Sequence, residues 1–280
     1  RDYAVTGVQT CALPIFPKFE IINNGDPANK VDIVILPEGY TADEMNLFRE
    51  DCKKFSQYLF NSSPFKENKN KFNIWGVAAP SPESGTDIPA ENIWKKTLLN
   101  TSFYTFDIER YLMTEDYKSV RDLAANAPYD QIYILVNSEK YGGGAIYNFY
   151  NVCINRHRAE EYVFVHELGH GFAFLADEYY TSDVAYENFY SLDIEPLEAN
   201  LTTLVDFNSK WKHLVDKETP IPTPNIEKYK DKVGAFEGGG YVAKGIFRPE
   251  QDCSMKSISI DNFCVVCKNA IEKMINFYAE

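Results

Sequence analysis

Histidine is scarce in this chain. There are four in 280 residues, and two of them, His166 and His170, stand four residues apart. Positive charge is also in deficit, with 28 Lys and Arg against 41 Asp and Glu and a formal charge of −13. That balance argues against nucleic acid or an anionic membrane surface as the main partner. No apolar run approaches the roughly 20 residues that span a bilayer, so no transmembrane segment is expected in this chain. Internal repeats and low-complexity tracts are missing too. What is present is an ordinary globular composition, 45% apolar and 25% charged, with 19 Tyr and 19 Phe suggesting a well-filled interior.

The opening fifteen residues, "RDYAVTGVQTCALPI", resemble the translation of a sequencing-library adapter and are set outside the fold as a non-native leader. The expected domain is 16–280. Val31–Tyr40 is a short apolar run closed by Pro and Gly, and reads as a buried strand. Thr41 then begins an amphipathic helix over 42–61. Lys71–Pro80 and Gln131–Asn137 read as further strands, 81–105 as a long surface loop, and Ile108–Ala124 as one or two helices. After Gly142–Gly144, the Tyr-rich run Ala145–Asn151 reads as an edge strand. The chain ends in a helix starting near Cys264. Alternating strands and helices predict an α/β layer.

Of the six cysteines, Cys264 and Cys267 have the C-x-x-C spacing of a redox pair or metal knuckle. Their place at a helix start favours a packing or local disulfide role. A bridge from Cys253 to Cys264 or Cys267 is the pairing expected of an exported protein.

Chemistry concentrates in "VFVHELGHGFAFLADEYY", residues 163–180. His166-Glu167-Leu168-Gly169-His170 has the form H-E-x-x-H. On a helix, residues four apart share a face about 6 Å along the axis, so both imidazoles can reach one ion. Zinc is the expected cofactor, lowering the pKa of a bound water to about 7, with Glu167 as general base and acid. The third ligand is open. Asp177 is favoured and Glu178 is the alternative, yet on an unbroken helix Asp177 would lie about 16 Å from His166. The helix must therefore stop soon after His170, with Gly171 permitting the turn. A competing geometry keeps the helix straight and recruits Glu187, Glu195 or Glu198. Tyr179 and Tyr180 are candidates for oxyanion or substrate contacts.

"HELGHGFAFLADEY" resembles the signature of the bacterial IgA-peptidase family of zinc metallopeptidases. The likeness extends to "VDIVILPEGYTADEM", "KWKHLVDKETPIPTP" and "FEGGGYVAKGIFRPEQDCSM", in the same order, and covers about residues 17–280. It implies an α/β, metzincin-like zincin catalytic domain with a mixed sheet, an active-site helix and a C-terminal helix. Met255 would then form the methionine turn beneath the metal, with Arg248 fixing that loop. One departure stands out. The metzincin pattern H-E-x-x-H-x-x-G-x-x-H/D would put the glycine at Ala173 and the last ligand at Ala176, but the acid comes one position later at Asp177.

The resemblance implies a zinc-dependent endopeptidase acting on protein or peptide substrates, immunoglobulin or other host glycoproteins among them. It also implies a secreted, periplasmic or cell-surface location. A peptide could add as a strand beside Ala145–Asn151. The alternatives are a non-catalytic protein- or glycan-binding module retaining the fold, against which the intact Glu167 speaks, and a small-molecule metallohydrolase, which predicts a closed pocket with no cleft beside the edge strand.

Overall fold

The computed structural model describes residues 15–180, 188–258 and 262–279. Residues 1–14 of the expected leader, with Cys11, and the candidate ligand Glu187 lie outside the described residues. The chain is a mixed α/β structure built on a six-stranded sheet in the order β1-β3-β2-β4-β6-β5. Its central strands, β3 (Phe72–Val77), β2 (Val31–Glu38), β4 (Gln131–Val136) and β6 (Tyr150–Ile154), run parallel. β1 (Lys18–Ile22) and β5 (Gly143–Ile146) are antiparallel edges.

The apolar runs of β2 and β4 are buried on both faces, which is why they read as continuous rather than alternating. Ile33, Ile35, Tyr133 and Leu135 pack against α1 (Met45–Asn61), α3 (Glu160–Ala173) and α4 (Val265–Tyr278). Val34, Leu36, Ile132 and Ile134 face the other way, towards α2 (Tyr117–Ala124) and the loop residues Leu99 and Phe103. Each fully buried aliphatic side chain contributes about 1.5–3 kcal/mol of apolar burial. The loop over 81–105 is held down by Glu38. This fully buried carboxylate ends β2 and accepts from Leu99 N (3.0 Å), Thr101 N (2.8 Å) and Thr97 Oγ1 (2.6 Å).

Three expectations need correction. The Tyr-rich run is a hairpin rather than one edge strand: Asn148 adopts φ 54° and turns the chain between β5 and β6, which lies inside the sheet. Helix forms only over Tyr117–Ala124 in the second helical segment, where Asp116 accepts from Ser119 N and caps it. A two-stranded hairpin, β7 (Phe236–Gly239) and β8 (Val242–Arg248), stands where no strand was expected. No helix among the described residues is long and apolar enough to cross a membrane.

Candidate metal centre and cleft

α3 carries both histidines and packs on β5 and β6. Its approach to the sheet depends on Gly171, where an added Cβ would lie 2.0 Å from Asn151 Oδ1. The helix ends at Ala173, and the chain reverses at Phe174, which adopts the left-handed conformation (φ 51°, ψ 45°). Gly171 is thus not the breaker. It serves helix–sheet packing, and Phe174 makes the turn. A left-handed phenylalanine is costly, and its ring is held against Tyr147, with centroids 4.4 Å apart. Phe174 N also donates to His170 O, and Leu175 N to Gly169 O.

The reversal brings Asp177 back beside the histidines. Asp177 Oδ1 lies 3.1 Å from His166 Nε2 and 3.4 Å from His170 Nε2, and the two Nε2 atoms are 3.1 Å apart. Donors bound at 2.0–2.1 Å to one tetrahedral ion are about 3.3 Å apart, so this triangle matches one face of a zinc polyhedron. The other ring nitrogens are committed. His170 Nδ1 is 2.6 Å from Leu175 O, and His166 Nδ1 is 3.0 Å from Ser254 O. A carbonyl oxygen only accepts, so both Nδ1 atoms carry hydrogen, and the Nε2 atoms, the nitrogens left for a metal ion, both face inward.

Asp177 is 6% exposed, and no hydrogen-bond donor other than the two imidazole nitrogens reaches its Oδ1. A buried carboxylate oxygen in that setting is costly unless a positive charge, a shared proton or a cation, lies beside it. A cation would satisfy it, so the residues fit a metal ion. The other oxygen, Oδ2, accepts from Tyr179 (2.8 Å) and from Tyr241. Burial and the Asp177 charge push both phenols up, so they remain protonated donors. Burial alone would raise Asp177, yet the histidines, His170 foremost, hold it well below the usual carboxylate range. The converse holds for His170. Burial disfavours its charge, but Asp177 outweighs that and lifts it to about 9. Glu167 is raised chiefly by burial, against the opposing pull of His166 and His170.

Not every candidate gathers here. Glu178 turns away into a nest of cysteines, with Cys267 Sγ 3.5 Å from its Oε1. Glu195 binds Thr203 and Asp206 N, and Glu198 accepts from Tyr190, so the straight-helix geometry does not occur with either. Tyr180 does not line the cleft. It lies over Gly238 and beside the Arg248 guanidinium. Met255 is fully buried beneath α3, and a Cβ at Gly169 would sit 3.0 Å from its Sδ. Its carbonyl accepts from Glu178 N. Arg248 donates to Glu237 O, Gly238 O and Gln251 O, joining the β7–β8 hairpin to the loop that leads to Met255. The five described cysteines are free thiols, so the expected Cys253 bridge does not form.

The donor triangle opens into a cleft of about 890 Å³ that runs along Gly143, Gly144 and Ala145 of β5. This is the cleft beside the edge strand that a closed small-molecule pocket would lack. The edge is not wholly open, because Gly143 N donates to Arg110 O and Gly143 O accepts from Leu112 N. Sequence reasoning missed Arg110, Tyr162 and Tyr241. Arg110 Nη2 donates to Tyr179 Oη at 3.1 Å, and Tyr162 stacks on His166 while donating to Ser254 O. Tyr241 reaches Asp177 from 64 residues away, at the tip of the β7–β8 hairpin, where no local signal marks it.

The sequence profile of the IgA peptidase M64 family matches residues 19–230 and 225–275. No individually curated protein matches the chain.

Proposed function

Since the chain belongs to the IgA peptidase M64 family and is thereby a peptidase acting on protein, we propose that it is a zinc-dependent endopeptidase with a metzincin-like zincin fold. His166, His170 and Asp177 hold the ion. The observation that carries this reading is the buried triangle of two inward Nε2 atoms and one carboxylate oxygen, each about 3.1–3.4 Å from the others. Zinc bound there supplies a Lewis acid that makes water nucleophilic near neutral pH.

Glu167 takes the proton from the attacking water and delivers it to the leaving amine nitrogen. Its burial raises its proton affinity, which suits a group that must hold a proton before passing it on. Tyr179 and Tyr241 orient Asp177 through Oδ2 and keep Oδ1 facing the histidines. The Tyr179 hydroxyl is occupied by that task, which disfavours it as an oxyanion donor. The substrate chain lies in the cleft along β5, adding to the strand edge beyond Gly143, where Ala145 lines the wall. Immunoglobulin or another host glycoprotein is the substrate class proposed, and a secreted, periplasmic or cell-surface location goes with it.

The test is digestion of casein by purified protein, with and without a chelator, beside Glu167→Ala. Expected is chelator-sensitive cleavage that the variant loses by about 10²–10⁴-fold while keeping its zinc. Equal cleavage by the variant would overturn the reading.

A further inference from the structure

A second set of donors lies below the first, among residues that the peptidase reading does not use. Cys253 precedes Met255 in the loop after β8. Cys264 caps the N-terminus of α4, and Cys267 is in its first turn. Glu178 comes from the segment that folds back after α3. Their ligand atoms all lie within 4.8 Å of one another, and each residue is at most 5% exposed.

We propose that Cys253, Cys264, Cys267 and Glu178 form a closed, structural site for a thiophilic divalent cation such as zinc. The separations fit. Thiolates bound at about 2.3 Å to a tetrahedral zinc lie about 3.8 Å apart, and a thiolate and a carboxylate oxygen about 3.6 Å apart. Cys253 Sγ and Cys267 Sγ are 3.8 Å apart, and Cys267 Sγ is 3.5 Å from Glu178 Oε1. The first distance is far too long for a disulfide, whose sulfurs are about 2.05 Å apart. Three thiols also cannot pair completely.

Two further observations point to a cation. Glu178 is fully buried, and its Oε2 is without a hydrogen-bond partner. Backbone N–H groups turn towards the sulfurs, Cys264 N to Cys253 Sγ at 3.2 Å and Cys267 N to Cys264 Sγ at 3.5 Å. Such contacts favour thiolates, as does the positive end of α4. Three thiolates and a carboxylate around a divalent ion leave two negative charges. The buried guanidinium of Arg248 acts on Glu178 and offsets part of that charge. Binding releases the thiol protons to solvent. The site joins the fold-back segment, the methionine loop and α4, so its ion staples the segment that presents Asp177.

This inference stands apart from the peptidase reading, and metal counting separates the two. Purified full-length protein, kept reduced, should carry about two zinc ions per chain by mass spectrometry. Cys267→Ser should retain about one, and so should the double variant His166→Ala/His170→Ala. Cobalt(II) in place of zinc should give near-ultraviolet sulfur-to-metal charge transfer in the wild type and in the histidine double variant, but not in Cys267→Ser. If Cys267→Ser fails to fold, the cobalt spectrum of the histidine variant decides alone. A wild type with one zinc that the histidine variant loses, a cobalt protein without charge transfer, or a disulfide among these cysteines in metal-free protein would each overturn the site. Charge transfer without proteolysis would sink the peptidase reading and leave this one standing.

Discussion

Asp177 turns Oδ1 towards two imidazoles, whereas Glu178, the next residue, turns towards three thiols. Both are buried; Asp177 Oδ1 meets only the imidazoles, and Glu178 Oε2 has no hydrogen-bond partner. The nests differ in access. The imidazole nest opens into a cleft, with Glu167 beside it and Tyr179 and Tyr241 behind it. The thiol nest is sealed between a loop and a helix start. An exposed nest with a spare position suits reaction, and a closed one suits structure. The two side chains leave neighbouring residues for opposite clusters, so one segment serves two nests.

Neutralising each acid in turn gives the sharpest separation. Asp177→Asn should cost the imidazole nest more than about a hundredfold in zinc affinity, beyond what loss of an orienting neighbour causes, and leave the cobalt–sulfur absorption intact. Glu178→Gln should do the reverse, weakening the thiol nest and leaving one zinc at the histidines. Parallel loss of both ions in either variant would erase the distinction.

A second difference is in proton competition. In metal-free protein His170 is lifted to about 9 by Asp177, so at neutral pH a proton occupies the nitrogen that the ion requires. Zinc affinity at the histidines should therefore rise with pH and level off near 9. Below that it should fall about tenfold per pH unit for one displaced proton. Titration of Cys267→Ser against a chromophoric chelator reads this directly, and a flat profile from pH 6 to pH 9 would contradict it.

The smallest effect is expected at Tyr241. Removing its hydroxyl in Tyr241→Phe leaves Tyr179 on Asp177 Oδ2, so zinc affinity or proteolysis should fall by about tenfold, at the low end for an orienting partner. Thiol-nest cobalt absorption should be unaffected. A loss as large as that of Asp177→Asn would mean the phenol does more than orient.

The central strands were legible because parallel strands buried on both faces leave unbroken apolar runs, as at Val31–Leu36 and Gln131–Val136. β7 was not, since its four residues end in Gly238 and Gly239 and offer no alternating pattern. His166, Glu167 and His170 could be read from spacing alone, because helix geometry fixes where they point. Asp177 could be read only as a demand that the helix stop. The residue that stops it, Phe174, gives no sequence warning, since the ring packed against it, Tyr147, stands 27 positions earlier. The metzincin spacing would place its glycine at 173 and its ligand at 176. The observed turn residue and acid each fall one position later, so the helix is a residue longer and the same reversal follows. Glu178 joins cysteines 75 and more positions downstream, a meeting that no local pattern encodes.

The hydrogen bonds from His166 and His170 Nδ1 end on the carbonyls of Ser254 and Leu175. Those acceptors belong to the main chain and persist whatever side chain stands at 254 or 175. Genetic drift at either position can alter packing without redirecting an imidazole. The orientation of His170 is thereby insulated from point substitution at its support, whereas His166, on which the Tyr162 side chain also stacks, and Asp177, oriented by the side-chain hydroxyls of Tyr179 and Tyr241, are more open to evolutionary adjustment.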